Sequence, residues 1–192
     1  MKWTKKDRQY LLDLRNDIDV DNIKLKEEIK RILLEDKYII HVLNNKELEE
    51  SDAEQDDYFG VNILPYFMVE NIQHNVQNYV CYETSYKDIP QWDKHEKYMQ
   101  IIFYVLSEKK NIIDKDTSLA RHDLLSALVM RDFNGYPFKG GRFYCVSDQP
   151  SVIDNDFACR TLIFEQMTDN NLVKKVDGKM IYANKAGVIR NG

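Results

Sequence analysis

The sequence has few of the residues that make a chain flexible or cross-link it. It contains seven glycines and four prolines among 192 residues, so long flexible linkers are not expected. Its three cysteines, Cys81, Cys145 and Cys159, are an odd number, are widely spaced and include no CxxC pair. Each lies in a predicted strand, which favours buried free thiols in a reducing cytoplasm over disulfides or a reactive site.

The sequence also shows no pattern typical of a membrane or targeting segment. No apolar run approaches the ~20 residues of a membrane helix, and the first eight residues, MKWTKKDR, lack the apolar stretch of a signal peptide. We therefore expect a protein that is made in a cytoplasm and has no membrane partner. The net charge of −5 argues against general affinity for nucleic acids.

Motifs for nucleophilic, nucleotide-dependent or zinc-dependent catalysis are absent, since the sequence has no GxSxG, P-loop, Rossmann or HExxH pattern. The four histidines have no partner at a metal-ligand spacing. The acidic run at residues 46–57 lacks the turn glycine and spacing of a calcium loop, and is predicted to be a solvated loop. We predict no catalytic residue, no cofactor and no metal.

Hydrophobic periodicity predicts two main helices. Apolar residues at positions i, i+4, i+7 and i+8 predict the first over residues 21–34. A second apolar stripe predicts a helix over residues 117–132, with Thr117 or Ser118 as its N-cap. Asp36 is predicted to cap a short helix between them.

The remaining apolar segments predict a mostly antiparallel sheet, and hence an α+β fold. Residues 97–107 are apolar on both faces, which predicts a central strand that is covered on both sides. Further strands are predicted at residues 77–85, and at 142–148 and 158–168 with a surface loop between the last two. Pro65 marks an edge segment. The central strand, the second helix and the two returning strands form a β-α-β-β unit.

Three regions are expected along the chain. Residues 1–20 are short and strongly charged, with Thr4 as a possible N-cap, and are predicted to form an arm or a marginal helix. Residues 21–168 form the α+β domain. Residues 169–192 place the pair Asp177-Gly178 between two alternating runs, which predicts a β-hairpin.

The hairpin region is also set apart by its charge. Residues 171–192 contain five basic residues and one acid, a net charge of +4; the whole chain carries −5, which leaves −9 for the rest. A basic extension can lie on the acidic surface of the next copy. Contact with a nucleic-acid backbone and a plain solvated hairpin are the alternatives.

Twelve tyrosines, a high number, favour a surface that is apolar yet wet. We expect nine residues to contact neighbouring subunits or partners: Trp3, Tyr58, Phe59, Arg121, Arg160, Lys174, Lys175, Lys179 and Tyr182. For Arg121 and Arg160 a structural ion pair within the subunit is the alternative.

The order of the predicted elements resembles that of a known family. The chain carries, in this order, ILP (63–65), YVCYE (79–83), ARHDLL (120–125), FNG (133–135), GRFYCVSD (141–148) and CRTLIF (159–164). Over roughly residues 22–168 this pattern resembles the tail-completion or tail-terminator family of long-tailed bacteriophages.

The resemblance implies a non-enzymatic α+β sandwich whose subunits form a homo-hexameric ring. Such a ring caps the tail tube with one face and meets the head connector with the other, and DNA passes through its lumen without sequence-specific binding. The expected location is the tail or neck of the virion, after assembly in the host cytoplasm.

Three other functions stay open from the sequence. A head-closure (stopper) ring, or another connector ring of the neck, shares these small folds. An intracellular protein-binding module is suggested by the acidic run and the basic C-terminal region. An enzyme is the third, and a ligand-filled pocket lined by Arg121, His122 and Cys145 would support it.

Overall fold

A computed structural model of the chain describes residues 4–14, 21–67, 78–88, 96–152 and 156–169, and the strands at 173–176, 179–183 and 189–191. The α-helices in these ranges are α1 (Lys5–Leu14), α2 (Asp21–Glu35), α3 (Lys37–Leu43), α4 (Lys46–Glu50) and α5 (Arg121–Phe133). The strands are β1 (Ile63–Leu64), β2 (Asn78–Asp88), β3 (Glu96–Glu108), β4 (Pro137–Phe138), β5 (Gly141–Arg142), β6 (Tyr144–Val152), β7 (Phe157–Asp169), β8 (Val173–Val176), β9 (Lys179–Ala183) and β10 (Ile189–Asn191). Two 3-10 helices span Gln55–Tyr58 and Lys109–Asn111.

Five strands form the main sheet in the order β1-β2-β3-β7-β6. Only the short β1 pairs in parallel, with β2, and the other three pairings are antiparallel. The long strand β3 therefore lies at the centre, as its apolar pattern predicts. The predicted α+β class with a mostly antiparallel sheet is confirmed.

The C-terminal region forms a separate small sheet in the order β10-β9-β8. The predicted hairpin is confirmed as β8 and β9, whose register pairs Val176 with Lys179. That register leaves Asp177 and Gly178 as the connection, and both lie outside the described residues. β10 adds a third antiparallel strand.

The two main helices pack on one face of the main sheet because each carries one apolar stripe. On α2, Leu25, Ile29 and Leu33 recur every four residues and are fully buried. The stripe of α5, which ends in Phe133, is buried in the same way. Phe103 of β3 lies at the centre of this core, with its ring centroid 4.8 Å from that of Phe133.

The helix α5 begins four residues later than predicted. Thr117 and Ser118 lie in a turn that is closed by Asp114, whose carboxylate accepts hydrogen bonds from the backbone N and the Oγ1 of Thr117. Because the side chain of Asp114 organises this turn, the helix starts at Arg121, after Ala120 at its N-cap.

The acidic run at residues 46–57 is mostly exposed, as predicted, but it is not a continuous loop: α4 spans Lys46–Glu50 and a 3-10 helix begins at Gln55, so the loop prediction was wrong for these parts. Asn45 caps α4 by accepting a hydrogen bond from the backbone N of Leu48 at 3.3 Å. Leu48 packs against the core, which gives this charged helix an apolar anchor. The 3-10 helix that follows ends in the buried Tyr58.

The predicted surface loop between the last two core strands is also mostly strand. β6 continues to Val152 and β7 begins at Phe157. Pro150 is part of β6 and pairs in register with Arg160. Proline is compatible with this position because, among the described strands, β6 pairs only with β7 and so forms a sheet edge.

One charged cluster lies inside the subunit, beneath the start of α2. Asp21 and Lys97 are each 1% exposed, and Lys97 Nζ lies 2.5 Å from Asp21 Oδ2. Lys139, which is partly exposed, pairs with the other carboxylate oxygen of Asp21. Burial alone would raise the pKa of Asp21, but the hydrogen bonds from Lys139 and Lys97 outweigh it, so the pKa is lowered.

Replacing Asp36 with alanine is expected to lower the free energy of unfolding by about 1–2 kcal/mol. Asp36 caps α3 by accepting a hydrogen bond from Tyr38 N at 2.9 Å, and it also pairs with Arg131 of α5. Urea denaturation of Asp36→Ala measures the loss. The control Asp116→Ala removes an exposed carboxylate and should change stability by less than about 0.5 kcal/mol. Equal losses in the two variants would contradict the capping role.

Candidate assembly surface

Within the described ranges, the helices pack on one face of the main sheet. On β3, the side chains of Met99, Ile101, Phe103 and Val105 face the helices, and each is 0% exposed. Because side chains alternate along a strand, the residues between them lie on the opposite face. We call this opposite face of the sheet the outer face.

One end of the outer face is covered by the subunit itself. Phe67 lies on Tyr104 with ring centroids 4.2 Å apart, and burial raises the pKa of the Tyr104 hydroxyl. Together they pack against a buried cluster on the outer face that consists of Leu64, Tyr79, Cys81, Leu106, Phe157 and Cys159. This end belongs to the core of the subunit.

The other end of the outer face exposes three large side chains. Tyr98, Met167 and Tyr144 are 39%, 50% and 56% exposed. Tyr98 and Met167 are direct partners across β3 and β7. Tyr144 is the partner of Glu165, which places it diagonally to Met167, within reach of a long side chain. We call Tyr98, Tyr144 and Met167 the tyrosine–methionine patch.

A row of hydrogen-bonded polar side chains borders this patch. Glu165 accepts hydrogen bonds from Lys87 Nζ and from Gln100 Nε2, each at 3.0 Å. The Glu165 side chain is only 15% exposed. The carboxylate of Glu165 is therefore already paired within the chain, so covering the patch would not leave this charge without a partner.

The composition of the patch matches the centre of a protein interface. Tyrosine and methionine are enriched there, whereas lysine and glutamate are depleted. The neighbouring edge strand β6 is less suited to binding through its backbone, because Val146 forms a bulge in it and Pro150 lacks an N–H group. The structure thus favours binding through the face of the sheet over strand addition at its edge.

Two of the predicted contact residues lie inside the subunit. Tyr58 is 3% exposed and belongs to the main core. Arg121 is 7% exposed; its Nη1 donates to the Val42 carbonyl at 3.1 Å, and its Nη2 lies 2.9 Å from Asp114 Oδ1. Arg121 therefore joins α3, α5 and the turn before α5, in line with the structural ion pair that the sequence left open.

Two others lie nearer the surface. Phe59 is half-buried, and the Nζ of Lys30 lies 4.4 Å from its ring centroid. The guanidinium of Arg160 is bound by both Asp148, at 2.6 Å, and Asp123, at 2.8 Å. Arg160 thereby holds β7, β6 and α5 together while its side chain stays 30% exposed.

The side chains of the last five predicted contact residues lie outside the described part of the chain. Trp3 lies outside the described residues. Lys174 and Lys175 are in β8, and Lys179 and Tyr182 are in β9, but the description of these strands covers their backbone only. Their contacts stay predictions.

Cys145 and His122 are two of the residues that the enzyme alternative names. Burial raises the pKa of the Cys145 thiol and lowers the pKa of the His122 imidazole. Both shifts disfavour a thiolate–imidazolium pair, which is the reactive form of such a couple. Cys145 Sγ instead lies 3.3 Å from the carbonyl oxygen of Ser147.

The tyrosine–methionine patch was not among the sequence-based candidates. The alternation along β3 correctly predicted which side chains share a face of the strand. It also predicted that both faces are covered, but the exposure of Tyr98 shows that the outer face is covered only in part. The register of β3 against β7 brings Met167 beside Tyr98. Sequence alternation alone does not contain that register.

The described ranges were also compared with the requirements of a metal site and of a membrane-spanning helix. No group of three or more His, Cys, Asp and Glu side chains in them is arranged to hold a metal ion. None of the described helices has both the length and the apolar character needed to cross a membrane.

Comparison with known proteins identifies one family. The YomW family model matches residues 36–166, a span that runs from the cap of α3 almost to the end of β7 and includes most of the main sheet. No curated protein and no solved structure matches the chain. Since the match covers more than half of the sequence, the chain belongs to the phage-associated YomW family.

Proposed function

We propose that the chain is a non-enzymatic structural protein of the virion that forms a ring, most specifically the tail terminator. The observation that carries this proposal is the tyrosine–methionine patch on the outer face. It lies on a sheet whose opposite face packs against α2 and α5, so the sheet can present this apolar surface to a partner from a packed core. Contiguous exposed apolar surface of this kind marks a protein-binding site.

Two further observations support a phage assembly role. The YomW match makes the chain phage-associated. The resemblance of its element order to tail terminators supports the more specific role proposed here. The charge difference between the body and the basic C-terminal region also gives neighbouring copies complementary surfaces. In this proposal the ring is a homo-hexamer in the neck, with the tail tube on one side and the head connector on the other.

Particles from a host that carries the phage provide the test. Removing the coding sequence should yield DNA-filled heads and separate tails that do not join, visible by electron microscopy. Restoring the chain in trans should restore joined particles, with the chain detected in them by mass spectrometry. Empty heads would favour a head-closure ring instead, because that ring retains the DNA. Normal, infectious particles without the chain would overturn the proposal.

A further inference from the structure

The helix α1 presents an apolar stripe to solvent. Every residue from Thr4 to Asp13 is exposed, including Tyr10 at 64% and Leu11 at 50%. The start of the helix is nevertheless well defined, since Thr4 N donates to Asp7 Oδ2 at 2.7 Å and Asp7 N donates to Thr4 Oγ1 at 3.3 Å. A ten-residue helix is marginal by itself in water, so an apolar surface on which α1 could dock would stabilise it.

The chain also has an unoccupied apolar groove that suits a helix. The groove lies between α3 and α5 and has a volume of about 400 Å³. Its floor is made by Val42 of α3 and by Leu124, Ala127 and Leu128 of α5. The α5 residues recur at i, i+3 and i+4, so they line one side of that helix along more than one turn. Amphipathic helices bind grooves of this type through apolar anchors at helical spacing.

The charges of α1 and of the groove are complementary. α1 carries Lys5, Lys6 and Arg8 against two acids. The rim of the groove includes Asp116, whose side chain is 78% exposed and whose Oδ2 lies 3.8 Å from Nε2 of His41. A basic helix end beside this carboxylate would gain an attractive contact.

The groove lies at the far end of α2 from the point where α1 is attached. Residues 131–139 follow α2 along its length, with Lys139 paired to Asp21 at its start and Arg131 paired to Asp36 just beyond its end. Arg131 is also part of the groove lining. A helix of 15 residues is about 22 Å long, so roughly that distance separates Asp21 from the near end of the groove.

The covalent connection disfavours docking within one subunit. Six residues lie between Leu14 and Asp21, and the seven steps across them span at most about 25 Å when fully extended. To reach its own groove, α1 would need a nearly straight connection along the whole of α2. A second copy can supply α1 without that constraint.

We propose that α1 of one copy binds in the α3/α5 groove of the next copy, with Tyr10 and Leu11 on the floor formed by Leu124, Ala127 and Leu128. This contact joins two different surfaces, so repeated contacts run head to tail and close into a ring when the rotation permits. The inference rests on the proposed ring-forming function, and it names a second contact between neighbouring copies, in addition to the tyrosine–methionine patch.

Cysteine cross-linking between two tagged versions of the full chain tests the contact. One version carries Leu11→Cys and the other Ala127→Cys, and both carry Cys145→Ser so that the half-buried native thiol does not compete. After mixing and mild oxidation, the expected product is a covalent dimer that contains both tags. The matched control Gln9→Cys lies on the opposite side of α1 and should give at least tenfold less of this dimer.

Two outcomes would overturn the inference. In the first, Leu11→Cys links only to itself, which would mean that α1 pairs with another α1. In the second, a chain carrying both cysteines closes only an internal disulfide at low concentration, which would mean that α1 folds back onto its own groove. A third variant, Leu11→Asp, separates this inference from the proposed function, because it places a charge where α1 would meet the groove. Rings that form normally from this variant would overturn the α1 contact and leave the proposed function standing.

Discussion

Replacing Asp21 with asparagine is expected to lower the free energy of unfolding by about 3–5 kcal/mol, because it removes one partner of a buried ion pair. Lys97 would then be left 1% exposed, with its ammonium beside that of Lys139 and without a carboxylate. The loss is a large fraction of the stability of a typical domain, which is about 5–15 kcal/mol. Chemical denaturation of Asp21→Asn measures it.

The control for this prediction lies on the same helix. Glu35 is 63% exposed and pairs with Arg31 on the surface of α2, so Glu35→Gln should cost less than about 1 kcal/mol. If Asp21→Asn cost no more than this control, the cluster beneath α2 would not be a significant part of the fold's stability.

The same cluster predicts how stability depends on pH. The folded-state pKa of Asp21 is lowered, so its contribution is fully present above the unfolded pKa of about 3.9. The contribution is lost as the pH falls from there through the lower folded value, because the unfolded chain then binds the proton first. Acid denaturation of the native chain should therefore be steeper in this range than that of Asp21→Asn.

Replacing Met167 with lysine is expected to weaken self-assembly at least about 30-fold, the equivalent of about 2 kcal/mol at a central interface residue. Met167 is half exposed on the outer face and pairs with Tyr98. A lysine there would place an ammonium group at the centre of the tyrosine–methionine patch, where burial against a neighbour is costly. The measurement is the concentration at which the oligomer dissociates, by sedimentation velocity.

The matched control is Ile23→Lys. Ile23 is 45% exposed but lies on α2, on the helical side of the subunit. The same kind of substitution there should leave the dissociation concentration within about threefold of the native value, as expected for a position outside the interface centre. Equal weakening by both variants, or by neither, would contradict the assignment of the patch as the assembly surface.

The parts of the fold that follow from periodicity could be predicted from the sequence. The stripe of α2 and the two apolar faces of β3 come from spacing within one element. The N-cap at Asp36 and the register of the C-terminal hairpin each depend on a few residues that are adjacent in sequence. These features depend on local chemistry, and the structure agrees with them.

The late start of α5 comes from a local turn, in which Asp114 accepts hydrogen bonds from Thr117, three residues later. Two other differences from the predictions come from contacts that are distant in sequence. Leu48 packs on the core and lets a highly acidic segment form a helix. Arg121 reaches the carbonyl of Val42 and is buried although it is charged. In each case tertiary packing overrides composition.

The mass of the purified chain in solution tests the central claim most directly. For a homo-hexameric ring we expect one closed species in native mass spectrometry and light scattering, with six times the mass of the 22.8 kDa chain. At the same concentration, Met167→Lys should be shifted to single chains. A native chain that stays at 22.8 kDa at every concentration and salt tested would contradict it.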